Sequence, residues 1–194
     1  MLHRLTATAL RFEGIGPFDL TVFSGQCLAV TGPSGAGKSL LLRMLADLLP
    51  HEGTCSLDDT PRSQIAGPAW RKRVRYCAAE PGWWAPKVAD HFLDPNAARA
   101  ACASLSLDPG QLDVAPDRLS TGERQRFAIL RAIEDAPDFL LLDEPSSALD
   151  QASTLLLEAL LMQRQQAGMG LVLVSHDAAQ VARMAQASLA VVRS

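Results

Sequence analysis

Eight consecutive residues constrain this chain more than any other feature: Gly32-Pro33-Ser34-Gly35-Ala36-Gly37-Lys38-Ser39. The run fits the pattern G-x-x-x-x-G-K-[ST]. It lies between an apolar stretch at 28–30 and a segment whose leucines (Leu41, Leu42, Leu45, Leu48, Leu49) recur at helical spacing. A strand that turns through glycines into a helix makes a cradle of backbone N–H groups, because glycine turns tightly without a clashing side chain. The helix N-terminus adds a potential that favours anions. In such a loop Lys38 reaches the β- and γ-phosphates of a nucleotide, and Ser39 offers a hydroxyl to Mg2+. The plain alternative is a Gly-rich turn with a chance Lys-Ser, and the flanking strand and helix count against it.

The rest of the chain continues the same alternation. Strands are expected at 5–12, 18–22, 27–31, 53–57, 74–78, 139–142, 171–174 and 189–192. Helices are expected at 38–49, where Pro50 stops the helix, and at 121–133, 151–166 and 178–187. The runs at 139–142 and 171–174 are apolar without alternation, and helices separate them. That pattern indicates a parallel sheet covered on both faces. The stretch 80–115 is rich in Ala and Pro and reads as part of a small helical lobe. The expected fold class is therefore α/β, a P-loop NTPase. It has a mostly parallel sheet, an N-terminal antiparallel β part and a helical lobe at about 80–133, within one domain whose core is 1–79 and 134–194.

Composition acts by exclusion. The net charge of -3 lacks the basic footprint of a general nucleic-acid binder. No run approaches the roughly 20 apolar residues that span a bilayer. The N-terminal apolar stretch is soon broken by Arg11 and Glu13, which argues against a secretion signal. Cys27, Cys55, Cys77 and Cys102 show no CxxC spacing and read as reduced thiols, neither a disulfide frame nor a zinc site.

Asp143 and Glu144 follow the apolar strand at 139–142 directly. In open α/β sheets, ligands sit outside the carboxyl ends of the strands. Asp143 suits Mg2+, directly or through water. Glu144 suits the polarisation of an attacking water. An acidic helix N-terminus would also place two acids together, but the phosphate loop earlier in the chain favours the catalytic reading.

These residues resemble the ABC ATPases over nearly the whole chain. Leu119-Ser120-Thr121-Gly122-Glu123-Arg124-Gln125-Arg126 is similar to that family's signature. Ser146-Ser147-Ala148-Leu149-Asp150 is similar to its D-loop, and Val174-Ser175-His176-Asp177 to the segment bearing its switch histidine. Ser120 and Glu123 also form a capping box for a helix, which is a local reason for the same residues. The resemblance implies a nucleotide-binding set of Gly32, Pro33, Ser34, Gly35, Ala36, Gly37, Lys38, Ser39 and Leu40, with Phe12 as the aromatic stacked on adenine. Phe18 lies in the same stretch, and either phenylalanine could instead be core. It implies Glu144, His176 and Glu80 as the catalytic set, and Ser39, Asp143 and Glu80 around Mg2+. It also implies a signature of Ser120, Thr121, Gly122 and Glu123 that binds the γ-phosphate held by a second cassette, with Asp150 contacting that partner. The implied cofactors are ATP and Mg2+. The implied partners are a second cassette, as a homodimer, and a separate transmembrane permease, with no nucleic acid. The implied location is the cytoplasmic face of the cell membrane.

Three departures from the family pattern stand out. Glu80 is read as filling the place of a glutamine that reaches Mg2+ and water, where its charge would slow or retune hydrolysis. Thr121 and Glu123 replace Gly and Gln of the commonest signature. Leu40 replaces a threonine, which removes a hydroxyl and keeps a backbone N–H. The lobe looks short. Trp83 and Trp84 are candidate anchors for a coupling helix of the permease, and packing inside the lobe is the alternative. Residues 76–81 resemble cassettes linked to iron or metal-ion export, with haem-export and lipoprotein-type cassettes as the other candidates. The other functions weighed are a nucleic-acid-linked ABC ATPase and a non-hydrolysing ATP-binding regulator.

Overall fold

The structure is a computed structural model, and it describes residues 3–192. Strand β1 (Arg4–Phe12) pairs antiparallel with β2 (Ile15–Phe23), with irregular register after Ala7. Leu5, Ala7 and Leu10 of one strand and Phe18, Leu20 and Val22 of the other point inward. Their neighbours face out, as in a sheet packed on one side. Strand β3 (Cys27–Thr31) leads through the glycine loop into α1 (Lys38–Leu45). Strands β4 (Glu52–Leu57) and β5 (Thr60–Pro61) complete an antiparallel sheet ordered β2-β1-β4-β5.

Helix α2 (Gly67–Arg73) and strand β6 (Val74–Cys77) follow, and then the lobe, with α3 (Pro95–Ala101) and α4 (Thr121–Ile133). The chain returns through β7 (Phe139–Asp143), α5 (Gln151–Gln166), β8 (Gly170–Val174), α6 (Ala178–Met184) and β9 (Ala187–Ala190). Strands β6-β7-β8-β3-β9 form a sheet in that order, all parallel.

The parallel sheet separates two apolar cores. Leu140 and Leu142 of β7, with Leu171 and Leu173 of β8, join the core shared with α4, α5 and the lobe. Phe139, Leu141, Val172 and Val174 join the core shared with α1 and the antiparallel sheet. Burial on both faces explains why these strands read as unbroken apolar runs. All four cysteines are buried and free. Burial pushes the thiols of Cys27, Cys55 and Cys77 up to about 12, which keeps them neutral.

Several boundaries differ from expectation, each for a local reason. Helix α1 ends at Leu45, well before Pro50. Asp47 takes a left-handed backbone (φ 57°), and the Leu48 N–H donates to the Arg43 carbonyl, the bond that closes a Schellman turn. Arg62 and Arg71 hold the Asp47 carboxylate there. Helix α6 ends at Met184 because the Gln186 side chain donates to the Met184 carbonyl and accepts from the Cys27 N–H. Those bonds start β9 at Ala187 and set its register on β3. Helix α2 was not anticipated; its Trp70 is fully buried and donates to the Leu45 carbonyl at 2.8 Å. The lobe carries less α-helix than expected. Between residues 80 and 120 it is mostly short 3-10 turns around the single helix α3. Its prolines and aspartates favour turns over longer helices.

Candidate functional site

In the parallel sheet, β7, β8 and β3 are neighbours, so their carboxyl ends share one edge. The glycine loop leaves β3, Asp143 and Glu144 end β7, and His176 follows β8. The sheet order alone therefore brings together three segments that the sequence keeps far apart.

The loop needs its glycines. Gly32 has φ 144°, and a Cβ there would lie 2.2 Å from the Val191 carbonyl oxygen. Gly37, the residue before α1, has φ 95°, and a Cβ there would lie 2.4 Å from the Ile15 side chain. No side chain caps α1 and no acid occupies its first turn. Its first N–H groups therefore have no side-chain acceptor. Lys38 is buried, and its ammonium donates to the Gly32 and Pro33 carbonyls at 2.9 Å each. An uncapped helix start beside a buried ammonium has the chemistry to receive an anion such as phosphate.

Asp143 is 4% exposed. The Ser39 hydroxyl donates to one of its carboxylate oxygens at 3.0 Å, and the Tyr76 phenol to the other at 2.9 Å. Burial, then the charge of Asp143, pushes the Tyr76 phenol above its usual range and keeps it protonated. The Ser39–Asp143 pair fits Mg2+. Both offer hard oxygen donors, and Mg2+ is typically held by one or two carboxylates together with substrate phosphates, not by an all-protein cage. Among the described residues no cluster of three or more His, Cys, Asp or Glu side chains stands ready for a metal.

Glu144 has a left-handed backbone (φ 48°), and its N–H donates to the Val174 carbonyl. Such a conformation costs on the order of 1 kcal/mol or more for a side chain with a Cβ. The turn leaves the Glu144 side chain partly exposed, with an oxygen 3.1 Å from Nε2 of His176. His176 is placed by the turn around it: the Ser175 hydroxyl accepts the Asp177 N–H, and Asp177 caps α6. A cleft of about 290 Å3 opens beside Glu144 and His176. Another cleft, about 590 Å3, lies between the turn after α1 and β4 and is lined by none of these residues.

The structure sets Phe12 and Glu80 apart from this group. Phe12 is half-buried against the core under the antiparallel sheet. The aromatic nearer the loop is Phe18, 3.6 Å from where a Cβ of Gly37 would stand. Glu80 is exposed in the bend after β6 and makes no hydrogen bond or ion pair with any described residue. From β6, the side chain that reaches Asp143 is Tyr76, which the sequence reading passed over. A lone tyrosine on a short strand gave no signal until sheet order placed β6 beside β7.

The Ser120–Glu123 segment lies at the start of α4. The Ser120 N–H and hydroxyl both donate to one Glu123 oxygen, at 2.8 and 2.7 Å, and the Glu123 N–H donates back to the Ser120 hydroxyl. The Gln111 amide donates to the other Glu123 oxygen. The Ser120 hydroxyl, then Gln111, hold the Glu123 carboxyl below its usual range. Thr121 is exposed and accepts a hydrogen bond from Arg124. Gly122 lies against the Ala148 carbonyl, 3.0 Å from where its Cβ would be, so this turn and the loop 146–150 touch within one chain. Asp150 is fully exposed and caps α5 through the Ser153 N–H.

With this geometry in place, the likenesses are specific. The family model for ABC transporters matches residues 15–147. The chain belongs to the ABC transporter family. It is 37% identical to the aliphatic sulfonates import ATP-binding protein SsuB 2 of Agrobacterium fabrum, over 85% of this chain and 65% of that protein. Protein STAR1 of Oryza sativa subsp. japonica is 35% identical over 86% of this chain and 52% of its own length. The phosphate import ATP-binding protein PstB 2 of Natronomonas pharaonis is 31% identical over 90% of this chain and 71% of its own length. The cassette thus spans about half to two thirds of the first two of these relatives. A bacterial ABC transporter cassette solved as a dimer superposes with a TM-score of 0.82 over 96% of this chain and 94% of that one. At 22% identity that match establishes the ABC ATPase fold, with its parallel sheet and antiparallel β part. An Atm1-family exporter with ATP bound matches at TM-score 0.83 over 98% of this chain and 37% of that one, again at 22% identity, which speaks for fold alone. The relatives named by cargo are importers, and the expected likeness to metal-ion export finds no support among them.

Proposed function

We propose that this cassette binds and hydrolyses ATP with Mg2+ and powers a separate membrane permease as one of a pair. One observation carries the reading: the Ser39–Asp143 hydrogen bond at 3.0 Å, which ties the phosphate loop to the acid strand across the sheet edge. In this reading the backbone of 32–40 and Lys38 bind the phosphates. Ser39 and Asp143 hold the metal, which when bound neutralises charge on the phosphoryl oxygens. Glu144 accepts a proton from the attacking water, and His176, 3.1 Å away, orients that carboxylate and senses the γ-phosphate. Phe12 or Phe18 lies against the base. Glu80 acts from the entrance of the lobe.

The second half of each site comes from the partner cassette. Ser120, Thr121, Gly122 and Glu123, at a helix N-terminus, face the γ-phosphate bound by the other copy, and Asp150 lies at that interface. Among the described residues no helix is long and apolar enough to cross a membrane. In this reading the cassette attaches to the membrane through the permease. Trp83 packs against the lobe core, whereas Trp84 is 74% exposed beside a cleft of about 400 Å3, so Trp84 is the anchor offered to a permease helix. The relatives' cargoes, sulfonates and phosphate, make import the first direction to test.

Phosphate release from Mg-ATP tests the enzyme. Glu144→Gln is expected to lower turnover by about 10²–10⁴-fold while nucleotide still binds. Equal turnover in the variant would remove Glu144 from the mechanism. Purification from membranes should bring a multi-spanning subunit with the cassette; recovery of nucleic acid instead would point to an ABC ATPase outside transport.

A further inference from the structure

We propose that Tyr76 is a positioning residue for the metal site: its phenol fixes the Asp143 carboxylate so that Ser39 and Asp143 present one ready set of oxygens to Mg2+. The proposal rests on the reading of Asp143 as the metal-holding carboxylate.

The geometry is reciprocal. Asp143 is almost wholly buried, and each of its two oxygens accepts one side-chain hydrogen bond, one from Ser39 at 3.0 Å and one from Tyr76 at 2.9 Å. A carboxylate held at both oxygens cannot turn about its Cβ–Cγ bond without losing two charge-assisted hydrogen bonds. The Ser39 hydroxyl gives its proton to Asp143, so its lone pairs stay free for a cation. Tyr76 takes the oxygen that Ser39 does not use. Groups that hydrogen-bond a metal's ligands typically contribute about 10–100-fold to metal affinity.

The position of Tyr76 adds a consequence. Strand β6 pairs with β7 in register, Tyr76 opposite Leu141, and the chain enters the lobe directly after β6. One phenol thus links the strand that feeds the lobe to the carboxylate that holds the metal.

Tyr76 is the sole tyrosine of the chain, so its spectrum reports this bond without any mutation. In the unaltered protein, the tyrosine bands of the ultraviolet Raman spectrum are expected to shift when Mg2+ is added to the ATP-loaded cassette. An unchanged tyrosine signal on Mg2+ addition would overturn the proposal. As a second measurement, Mn2+ binding to the ATP-loaded protein would be followed by electron paramagnetic resonance. Tyr76→Phe should raise the half-saturating Mn2+ concentration about tenfold. ATP binding in EDTA should stay unchanged, because no metal is then involved, while the thermal midpoint without nucleotide should fall as a buried carboxylate oxygen loses its donor. Wild-type Mn2+ affinity in Tyr76→Phe would also overturn the proposal. Asp143→Asn separates this failure from that of the underlying reading. If Asp143→Asn weakens Mn2+ binding and Tyr76→Phe does not, only the positioning role falls. If Asp143→Asn binds Mn2+ as the unaltered protein does, the metal assignment itself falls.

Discussion

Helices α1 and α4 both begin at proposed phosphate contacts, yet their N-termini are finished in opposite ways. Helix α1 starts after a left-handed glycine with no side-chain cap and no acid in its first turn, and a buried lysine lies over the loop. Helix α4 starts at Ser120 with a full capping box, and Glu123 takes up both the N–H and the hydroxyl of Ser120. The first helix start leaves its N–H groups open to an anion from outside. The second already holds an anion of its own, the Glu123 carboxylate. At the first, a phosphate would meet N–H groups that no side chain occupies, with Lys38 shared between it and the Gly32 and Pro33 carbonyls; at the second it would have to displace Glu123. Under the proposed function, the difference means that a single copy binds nucleotide through α1 alone, and that the α4 half engages only when a second copy delivers its phosphate.

The comparison breaks most visibly at Lys38. Lys38→Ala should weaken ATP binding to a single copy by about 10–100-fold, the equivalent of the roughly 1.5–3 kcal/mol that a charged hydrogen bond contributes. A fluorescent-nucleotide titration reads this, and unchanged affinity would mean that the α1 half is not the receptor. Ser120→Ala should leave that single-copy affinity alone. It should cost about 1 kcal/mol of stability through the lost cap, read as a lower thermal midpoint, and weaken ATP-driven pairing. Loss of single-copy binding in Ser120→Ala would merge the two halves that the structure keeps apart.

The smallest effect belongs to Glu123→Gln. Removing the resident charge should lower the ATP concentration needed for pairing a few-fold, in line with the about 0.3–1 kcal/mol that a charge is worth at a helix terminus. The acid limb sharpens this. Because the Glu123 carboxyl is held below its usual value of 4.5, the capping contribution is complete above that value and is lost as pH falls through the lower folded value. Thermal midpoints of the unaltered protein should therefore show this loss at acid pH, and Glu123→Gln should lack that component. Identical acid profiles would mean that Glu123 does not hold the cap as a carboxylate.

Much of the fold was legible because its signals are local. Helices α4 and α5 start and end where capping residues and apolar spacing placed them, at Thr121–Ile133 and Gln151–Gln166. The unbroken apolar runs of β7 and β8 announced a sheet buried on both faces. The glycine loop, the acids after β7 and His176 after β8 were legible as motifs. Three features depended on contacts between distant residues and left no local trace. Helix α1 stops early because Arg62 and Arg71 hold Asp47. Helix α6 stops early because Gln186 bridges Met184 and Cys27. Tyr76 meets Asp143 only because β6 lies next to β7. Glu80 shows the reverse case: its place in a motif suggested the site, and the structure leaves its side chain exposed, with no hydrogen bond or ion pair to any described residue.

The central claim is that ATP is held between the loop of one copy and the α4 start of another. Light scattering on Glu144→Gln with saturating Mg-ATP tests it most directly. The account predicts a particle of twice the single-chain mass of 20.8 kDa, with one nucleotide per chain, that falls apart when nucleotide is removed. A particle that stays at single-chain mass with nucleotide fully bound would contradict it.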